Sequence, residues 1–374
     1  MNQIRVVMTV QILNSLVSGV FGVALPLMMA ERNVDIVTIG LVFASLPIVF
    51  QLGRMVFATV SDFWGRKLFF LLNGFLSVAV SLVFYLARTP LEFLFGKVTE
   101  GTKDGSLWAV NRAFLMEKSE KKWAVLVHLR AVVYVSYAIG SLIAGFMIVL
   151  LFYEGTFMLC ALLGALVIPV ALLLVSERKE QFSFAKAKHF LDFRKKGKVF
   201  KMFLALFFVM GLSFGLRSGF VFPLFLSSNG FQAEVVGSLI GLQILLAGLF
   251  SYTFSGKFDM GKLVLLSGIL YTLLFIVLGF SNSLLAGLLV VLYGIVEGLM
   301  SISQEGILSR ITNEASYGID IGLLMMGLHS GNTLSLALSG LLISRWGFAA
   351  PFLISGSILT IFYVGSYIIL GAAD

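Results

Sequence analysis

One stretch of the sequence carries polar side chains at helical spacing inside otherwise apolar surroundings. At about 100° per residue, six positions fall within about 120° of one another, namely Lys97, Glu100, Asp104, Trp108, Asn111 and Arg112. Carboxylates beside cations in such surroundings can exchange protons or contact a charged solute. They can equally pair with one another three or four residues apart and lock a helix bundle. We keep both interpretations and favour partial pairing, with one acid left for function.

Three further ionisable residues stand in apolar runs of the second half of the chain. Arg217 and Glu297 could face each other, either as a structural pair or as a functional one. Burial disfavours an ionised carboxyl and a nearby cation favours it, so such an acid can be poised to bind and release a proton. We predict that Glu100 or Asp104, together with Glu297, exchanges protons, with Arg217 as a switchable counter-charge. His329 fits a proton relay or a hydrogen-bonded core histidine equally well.

The composition identifies the medium around these residues. Of 374 residues, 59% are apolar before 38 glycines are added, and only 12% are charged, against about 25% in soluble domains. The chain is therefore a polytopic membrane protein. Its formal charge of +8 does not indicate nucleic-acid binding, which needs a basic face on a soluble module.

Cofactor and metal chemistry lack sequence support. Cys160 is the one cysteine and the three histidines are scattered, so a disulfide within the chain or a cysteine-based zinc site is excluded. Phosphate-loop and zinc-protease motifs are missing as well. We predict no cofactor, no metal and no enzymatic activity.

Helical spans must position the polar groups. A bilayer core of about 30 Å needs about 20 apolar helical residues. We predict an all-α fold with twelve spans, near 5–29, 35–60, 67–87, 90–116, 122–151, 154–176, 199–228, 233–256, 262–281, 283–310, 315–344 and 347–371. Residues 1–176 would form one six-helix bundle, 177–198 a cytoplasmic linker, and 199–374 a second six-helix bundle.

Basic residues predict the orientation. With both termini inside the cell, 18 Lys and Arg residues lie in cytoplasmic loops and three lie outside, as the positive-inside rule requires. We expect a multi-pass protein of the plasma membrane that contacts the lipid bilayer and works as a monomer.

The two halves of the sequence are related. An offset of 197 residues carries Gly22 to Gly219, Pro26 to Pro223, Gly40 to Gly237, Asp62 to Asp259 and Glu100 to Glu297. Parallel six-span repeats, related by an axis along the membrane normal, are typical of transporters that alternate access to a site near the midplane. The residues alone therefore predict a transporter.

The turn between spans 2 and 3 carries a family motif. It reads Ala58-Thr-Val-Ser-Asp62-Phe-Trp-Gly65-Arg66-Lys67 and recurs in degraded form as Ser255-Gly-Lys-Phe-Asp259-Met-Gly261-Lys262. It resembles the loop motif of the major facilitator superfamily, Gly-x-x-x-Asp-basic-x-Gly-Arg-basic, with departures at Ala58 and Phe63. The resemblance implies a cytoplasmic gate, which we assign to Asp62, Gly65, Arg66, Lys67, Glu117, Asp259, Arg112 and Arg130.

Spans 4 and 5 refine the resemblance. Lys97 and Gly101 match a family pattern in which a basic residue precedes glycine by four positions. Asn111-Arg112-Ala-Phe-Leu and His128-Leu-Arg130-Ala resemble paired motifs of exporter-like prokaryotic members.

The sequence thus predicts a secondary transporter of a small solute, with proton-coupled efflux favoured. Uptake of an organic anion or a sugar is the alternative, with Arg217, Lys97 and Arg130 clamping the anion. A passive channel is the alternative outside this class. We predict that the following residues contact the solute: Asn14, Lys97, Trp108, Arg217, Gln243, His329 and Asn332.

Overall fold

A computed structural model describes residues 3–175, 196–254, 257, 259–312 and 317–371. Twelve helices make up the secondary structure of these described residues. They are α1 (Gln3–Glu31), α2 (Ile36–Trp64), α3 (Lys67–Leu86), α4 (Pro90–Lys118), α5 (Lys122–Leu172), α6 (Lys198–Gly215), α7 (Val221–Ser228), α8 (Ala233–Phe254), α9 (Met260–Gly279), α10 (Ser283–Ile311), α11 (Tyr317–Trp346) and α12 (Ala349–Gly371). The predicted linker, 177–198, lies mostly outside the described residues.

The helices correspond to twelve spans. Ten of those described are long and apolar enough to cross a bilayer. α5 is broken at Phe152, where φ is 56° and ψ is −179°, and therefore holds spans 5 and 6. α4 provides one more span, with the polar stripe. The predicted boundaries agree with the helix bounds to within a few residues.

Span 7 differs from the expected continuous helix. It consists of α6 and α7, separated by a turn that contains Arg217 and a left-handed Gly219 with φ of 65°. This backbone conformation suits glycine because it lacks a Cβ atom. The turn places Arg217 at the end of a helix rather than in its middle.

Each half packs mainly within itself, and two helix pairs make the main contacts between the halves. In the first half α1 and α3 pack on α5, and α2 packs on α4. In the second half α6 packs on α11, α8 on α10, and α9 on α12. The halves meet where α5 contacts α8 and where α2 contacts α11. The fold is thus two six-helix bundles, as predicted.

Two glycines related by the repeat lie where the halves approach each other closely. A methyl group on Gly40 of α2 would lie 2.9 Å from the Leu336 carbonyl oxygen of α11, and one on Gly237 of α8 would lie 2.7 Å from the Ser141 carbonyl oxygen of α5. Both contacts lie toward the end of the bundle opposite to that where α1 begins. We call this the far end, and the other the linker end. Small residues let helix backbones pack closely within membranes, so the halves are tightly joined at the far end.

Candidate functional site

The first polar cluster lies in α4 beside the contact between the halves. Lys97 Nζ lies 2.7 Å from Glu100 Oε2, and both side chains are buried. The ammonium also lies 4.2 Å from the ring centre of Phe43, which packs on Phe220 of the second half. Lys97 and Glu100, one turn apart, therefore neutralise each other. For these two residues the structure shows the ion pairing that the sequence left open.

The most buried charge of α4 is Lys103, a residue outside the predicted stripe. Its Nζ lies 2.9 Å from Asp104 Oδ1 and donates to Asn14 Oδ1 at 3.1 Å and to Ser18 Oγ at 3.0 Å. Asn73 of α3 donates to Asn14 Oδ1 as well. Asn14 is thereby committed to a buried network. The sequence could have indicated Lys103, because a lysine next to Asp104 inside a span is unusual. At about 100° per residue, however, Lys103 lies outside the sector that defines the stripe.

The residues of the stripe nearest the linker end differ in burial. Asn111 is buried and donates to Gln11 Oε1 of α1 at 2.8 Å. Trp108 keeps part of its surface accessible. The guanidinium carbon of Arg112 lies over the Trp108 ring, 5.6 Å from the ring centre. The Trp108 side chain is therefore the partly accessible member of this part of the stripe.

The second polar cluster encloses Arg217 in aromatic rings. Its guanidinium donates to Tyr293 Oη and lies 4.5 Å from the ring of Phe214, 5.0 Å from Tyr293 and 5.5 Å from Tyr271. The side chain is 3% exposed, and its Nε atom has no hydrogen-bond partner. Arginine stacks well on aromatic faces and keeps its charge, so a permanent cation lies inside the second half.

Glu297 and Arg217 form no ion pair but lie within electrostatic range of each other, so the predicted counter-charge role of Arg217 stays a prediction. Its carboxylate accepts a hydrogen bond from Gln243 Nε2 of α8, while Arg217 is held by Tyr293, one turn earlier on α10. Glu297 retains some accessible surface, whereas Gln243 is buried. The acid is thus hydrogen-bonded to a neutral amide and interacts with the cation without a direct contact.

Tyr137 of α5 links the two clusters, and sequence reasoning missed it. It lies within electrostatic range of Glu100 and Asp104 in the first half and Glu297 in the second. Its hydroxyl packs so near Gly22 of α1 that a methyl group there would lie 2.5 Å away. Only the fold brings this tyrosine between acids about 200 positions apart in sequence.

His329 and Asn332 of α11 face in different directions. The His329 ring lies 5.1 Å from that of Phe50, in the contact between α2 and α11, and its Nδ1 atom has no partner. Asn332 is buried against α6, where a methyl group on Gly215 would lie 2.6 Å from its carbonyl oxygen. A helix of its own half therefore covers Asn332, and its predicted contact with the solute stays a prediction.

At the linker end, two of the predicted gate residues join the motif to α4. Arg66 donates hydrogen bonds from Nη1 and Nη2 to the two carboxylate oxygens of Glu117, and the Nη2 to Oε1 distance is 2.6 Å. Lys67 Nζ donates to the carbonyl of Leu172 at 2.7 Å. Gly65 ends α2 in a left-handed conformation, with φ of 79°. The Asp62 side chain lies outside the described part of the structure.

The remaining gate candidates have distinct partners. Asp259 accepts from the backbone amide of Lys262 and caps α9. Arg130 of α5 lies 3.1 Å from Glu305 of α10 and joins the halves through a partly exposed ion pair. The far end carries its own pair, Arg32 with Glu154 at 2.9 Å. Within the residues that the structure describes, no group of His, Cys, Asp and Glu could hold a metal ion.

Comparisons with known proteins agree on one architecture. The family model described as Major Facilitator Superfamily matches residues 7–304. Similar solved structures include a mutant of the nucleoside transporter NupG, with 15% identity, a TM-score of 0.82 and coverage of 98% of this chain and 100% of that one. Another NupG structure has 15% identity, a TM-score of 0.77 and coverage of 99% of both chains. The human organic anion transporter MFSD10 (TETRAN) has 15% identity, a TM-score of 0.69 and coverage of 98% and 99%. No curated protein sequence matches significantly.

Proposed function

Because this chain belongs to the Major Facilitator Superfamily, we propose that it is a secondary transporter that couples the movement of a small organic solute to protons, with efflux as the favoured direction. One observation carries the proposal. Acids of both halves, Glu100 and Asp104 on one side and Glu297 on the other, lie within electrostatic range of Tyr137. A carboxyl at the meeting point of two rocking halves can take up a proton from one side and release it to the other.

Alternating access would use the two unlike ends of the bundle. Gly40 and Gly237 bring backbones together at the far end, whereas Arg130 and Glu305 bridge the halves toward the linker end through long side chains. Rocking of one half against the other around a central site would break one set of contacts as the other forms. Basic loops favour a cytoplasmic linker end, with the protein in the plasma membrane.

The gate would include the contact between Arg66 and Glu117. These residues tie the turn after α2 to the end of α4 within one half, so the contact would stiffen that half as it moves. We assign Gly65 and Lys67 to the same gate, together with Glu117, because they lie next to Arg66. Trp108, Tyr137 and His329 are the proposed solute contacts.

Uptake of an organic anion through a three-cation clamp has less support. Lys97 is paired with Glu100, Arg130 is paired with Glu305, and Arg217 is enclosed by aromatic rings. Each cation already has partners in its own surroundings. This arrangement favours a solute without a net negative charge. A passive channel has no structural observation in its favour.

Reconstituted vesicles can test the proposal. The full chain is placed in liposomes with a pH gradient of either sign, and a labelled nucleoside (uridine), a sugar (lactose), an organic anion (benzoate) and a lipophilic cation (tetraphenylphosphonium) are followed. We expect at least one solute to accumulate in a saturable way that a protonophore abolishes. Tyr137→Phe should change its apparent affinity, while Tyr252→Phe, at an exposed tyrosine on the lipid-facing surface, should leave it unchanged. Flux without saturation or without response to the gradient would refute the proposal.

A further inference from the structure

The charges near the middle of the spans differ between the two halves. In the first half Glu100 is paired with Lys97, and Asp104 is paired with Lys103. In the second half Arg217 and Glu297 are bonded only to neutral side chains, Tyr293 and Gln243 respectively. No ion pair joins Arg217 or Glu297 to another residue within the described ranges.

This difference decides which acid can change its charge. A proton on Glu100 would leave Lys97 as a buried cation without a counter-charge, and a proton on Asp104 would do the same to Lys103. Breaking a buried pair in this way is strongly unfavourable. A proton on Glu297 breaks no pair, because its partner is the neutral amide of Gln243, which can offer its oxygen or its nitrogen to a carboxyl group.

Access to water separates Glu297 from Glu100 but not from Asp104. Glu100 is 5% exposed, whereas Asp104 and Glu297 both keep part of their surface accessible, so pairing with Lys103 is what distinguishes Asp104 from Glu297. The residues that bond to Glu297 or lie within its electrostatic range come from four helices and one turn, namely Gln243 on α8, Arg217 in the turn after α6, Tyr134 and Tyr137 on α5, Tyr271 on α9, and Tyr293 on α10. Arg217 is the one permanent charge of this set, and Tyr293 holds it in place.

We propose that Glu297 is the single proton-carrying carboxyl of this transporter, and that Glu100 and Asp104 are structural counter-ions. Rocking exposes Glu297 to water on one side, where a carboxylate oxygen takes a proton from water, and then to the other side, where the same O–H bond gives the proton back. Arg217 favours release by its positive charge and does not itself titrate. This inference rests on the proposed proton coupling and narrows it to one residue.

Infrared difference spectroscopy tests the assignment without a known solute. The full-length protein in lipid nanodiscs is titrated with acid, and the C=O stretch of a protonated buried carboxyl is followed in wild type, Glu297→Gln, the double variant Lys97→Met/Glu100→Gln and the far-end control Glu154→Gln. The double variant removes a whole ion pair, so it leaves no unpaired charge. We expect the titrating band to vanish in Glu297→Gln and to persist in the other two. Persistence in Glu297→Gln, or loss in the double variant, would overturn the assignment.

Two additions separate the possible failures. If Glu297→Gln does not fold, Glu297→Asp keeps the carboxyl on a shorter side chain, and the proposal requires the band to shift in frequency; an unchanged band contradicts it. Vesicle assays with the solute panel then test coupling separately. Glu297→Gln should retain equilibrium exchange of a transported panel solute and lose its pH-driven accumulation. If wild type accumulates no panel solute, the proposed transport function fails, while the infrared titration still decides which carboxyl binds the proton.

Discussion

Adding one methyl group at Gly237 should open the far end of the protein. The new Cβ atom would lie 2.7 Å from the Ser141 carbonyl oxygen and 2.9 Å from the Gly145 nitrogen, whereas ordinary contacts begin at 3.4 Å. α5 and α8 must therefore separate by about 0.7 Å at this point. Both neighbours are backbone atoms, so no side-chain rotation can relieve the contact.

The size of the effect follows from overpacking. Such insertions cost about 1–3 kcal/mol, and 1.4 kcal/mol is a tenfold change in an equilibrium constant. The cost applies only while the far end is closed, so Gly237→Ala should shift the equilibrium toward far-end opening by about fivefold to a hundredfold. Its repeat equivalent, Gly40→Ala, meets a carbonyl oxygen at 2.9 Å and should act in the same direction with a smaller effect.

Thiol labelling can measure this shift. Cys160 is replaced by serine, Phe220 by cysteine, and a membrane-impermeant maleimide is added on the far side. Phe220 is buried and packs on Phe43 across the halves, so its labelling rate reports opening. Gly322→Ala is the matched control, because a methyl group there has no neighbour within 4 Å. Equal labelling rates in Gly237→Ala, Gly322→Ala and the parent would refute the reasoning.

Three other substitutions have defined outcomes. Glu117→Gln should reduce solute transport in vesicles while lowering stability by no more than about 1 kcal/mol, because its ion pair with Arg66 is exposed; an unchanged transport rate would remove Arg66 and Glu117 from the gate. Lys103→Met should cost about 3–5 kcal/mol by leaving Asp104 unpaired, and Lys103→Met/Asp104→Asn should recover part of the lost thermal stability; no recovery would contradict the pairing. Asp35→Ala should cost about 1 kcal/mol by removing the N-cap of α2. Hydrogen bonds from Thr38 and the Val37 amide hold the Asp35 pKa below its ordinary 3.8, so its stabilisation is complete above that value and is lost as the pH falls through the lower folded-state pKa. A wild-type pH profile of detergent-solubilised stability in Asp35→Ala would contradict this assignment.

The spans and their order followed from the sequence because the bilayer imposes a length on every crossing. Each span needs about 20 apolar residues, and backbone groups in lipid must bond internally, so the runs between charged and turn residues predicted α1 to α4 and α8 to α12 closely. The repeat could also be recognised in the sequence, because equivalent residues such as Gly40 and Gly237 make the same kind of close backbone contact in both halves. The approach of Arg66 to Glu117 was predictable because both stand at helix ends that share one side of the membrane.

Partners inside the bundle were decided by the tertiary structure. Helical rotation put Glu100 on a polar face, but only packing against α1 and α3 revealed that Lys103 reaches Asn14 and Ser18 with its long side chain. Arg217 follows α6 at the turn that contains Gly219 and bonds to Tyr293, whereas Glu297 bonds to Gln243. Hydropathy measures how favourably a residue transfers into lipid and contains no information about which side chain it will contact. For that reason the sequence identified the candidate charges, and the packing of the helices determined which of them are paired.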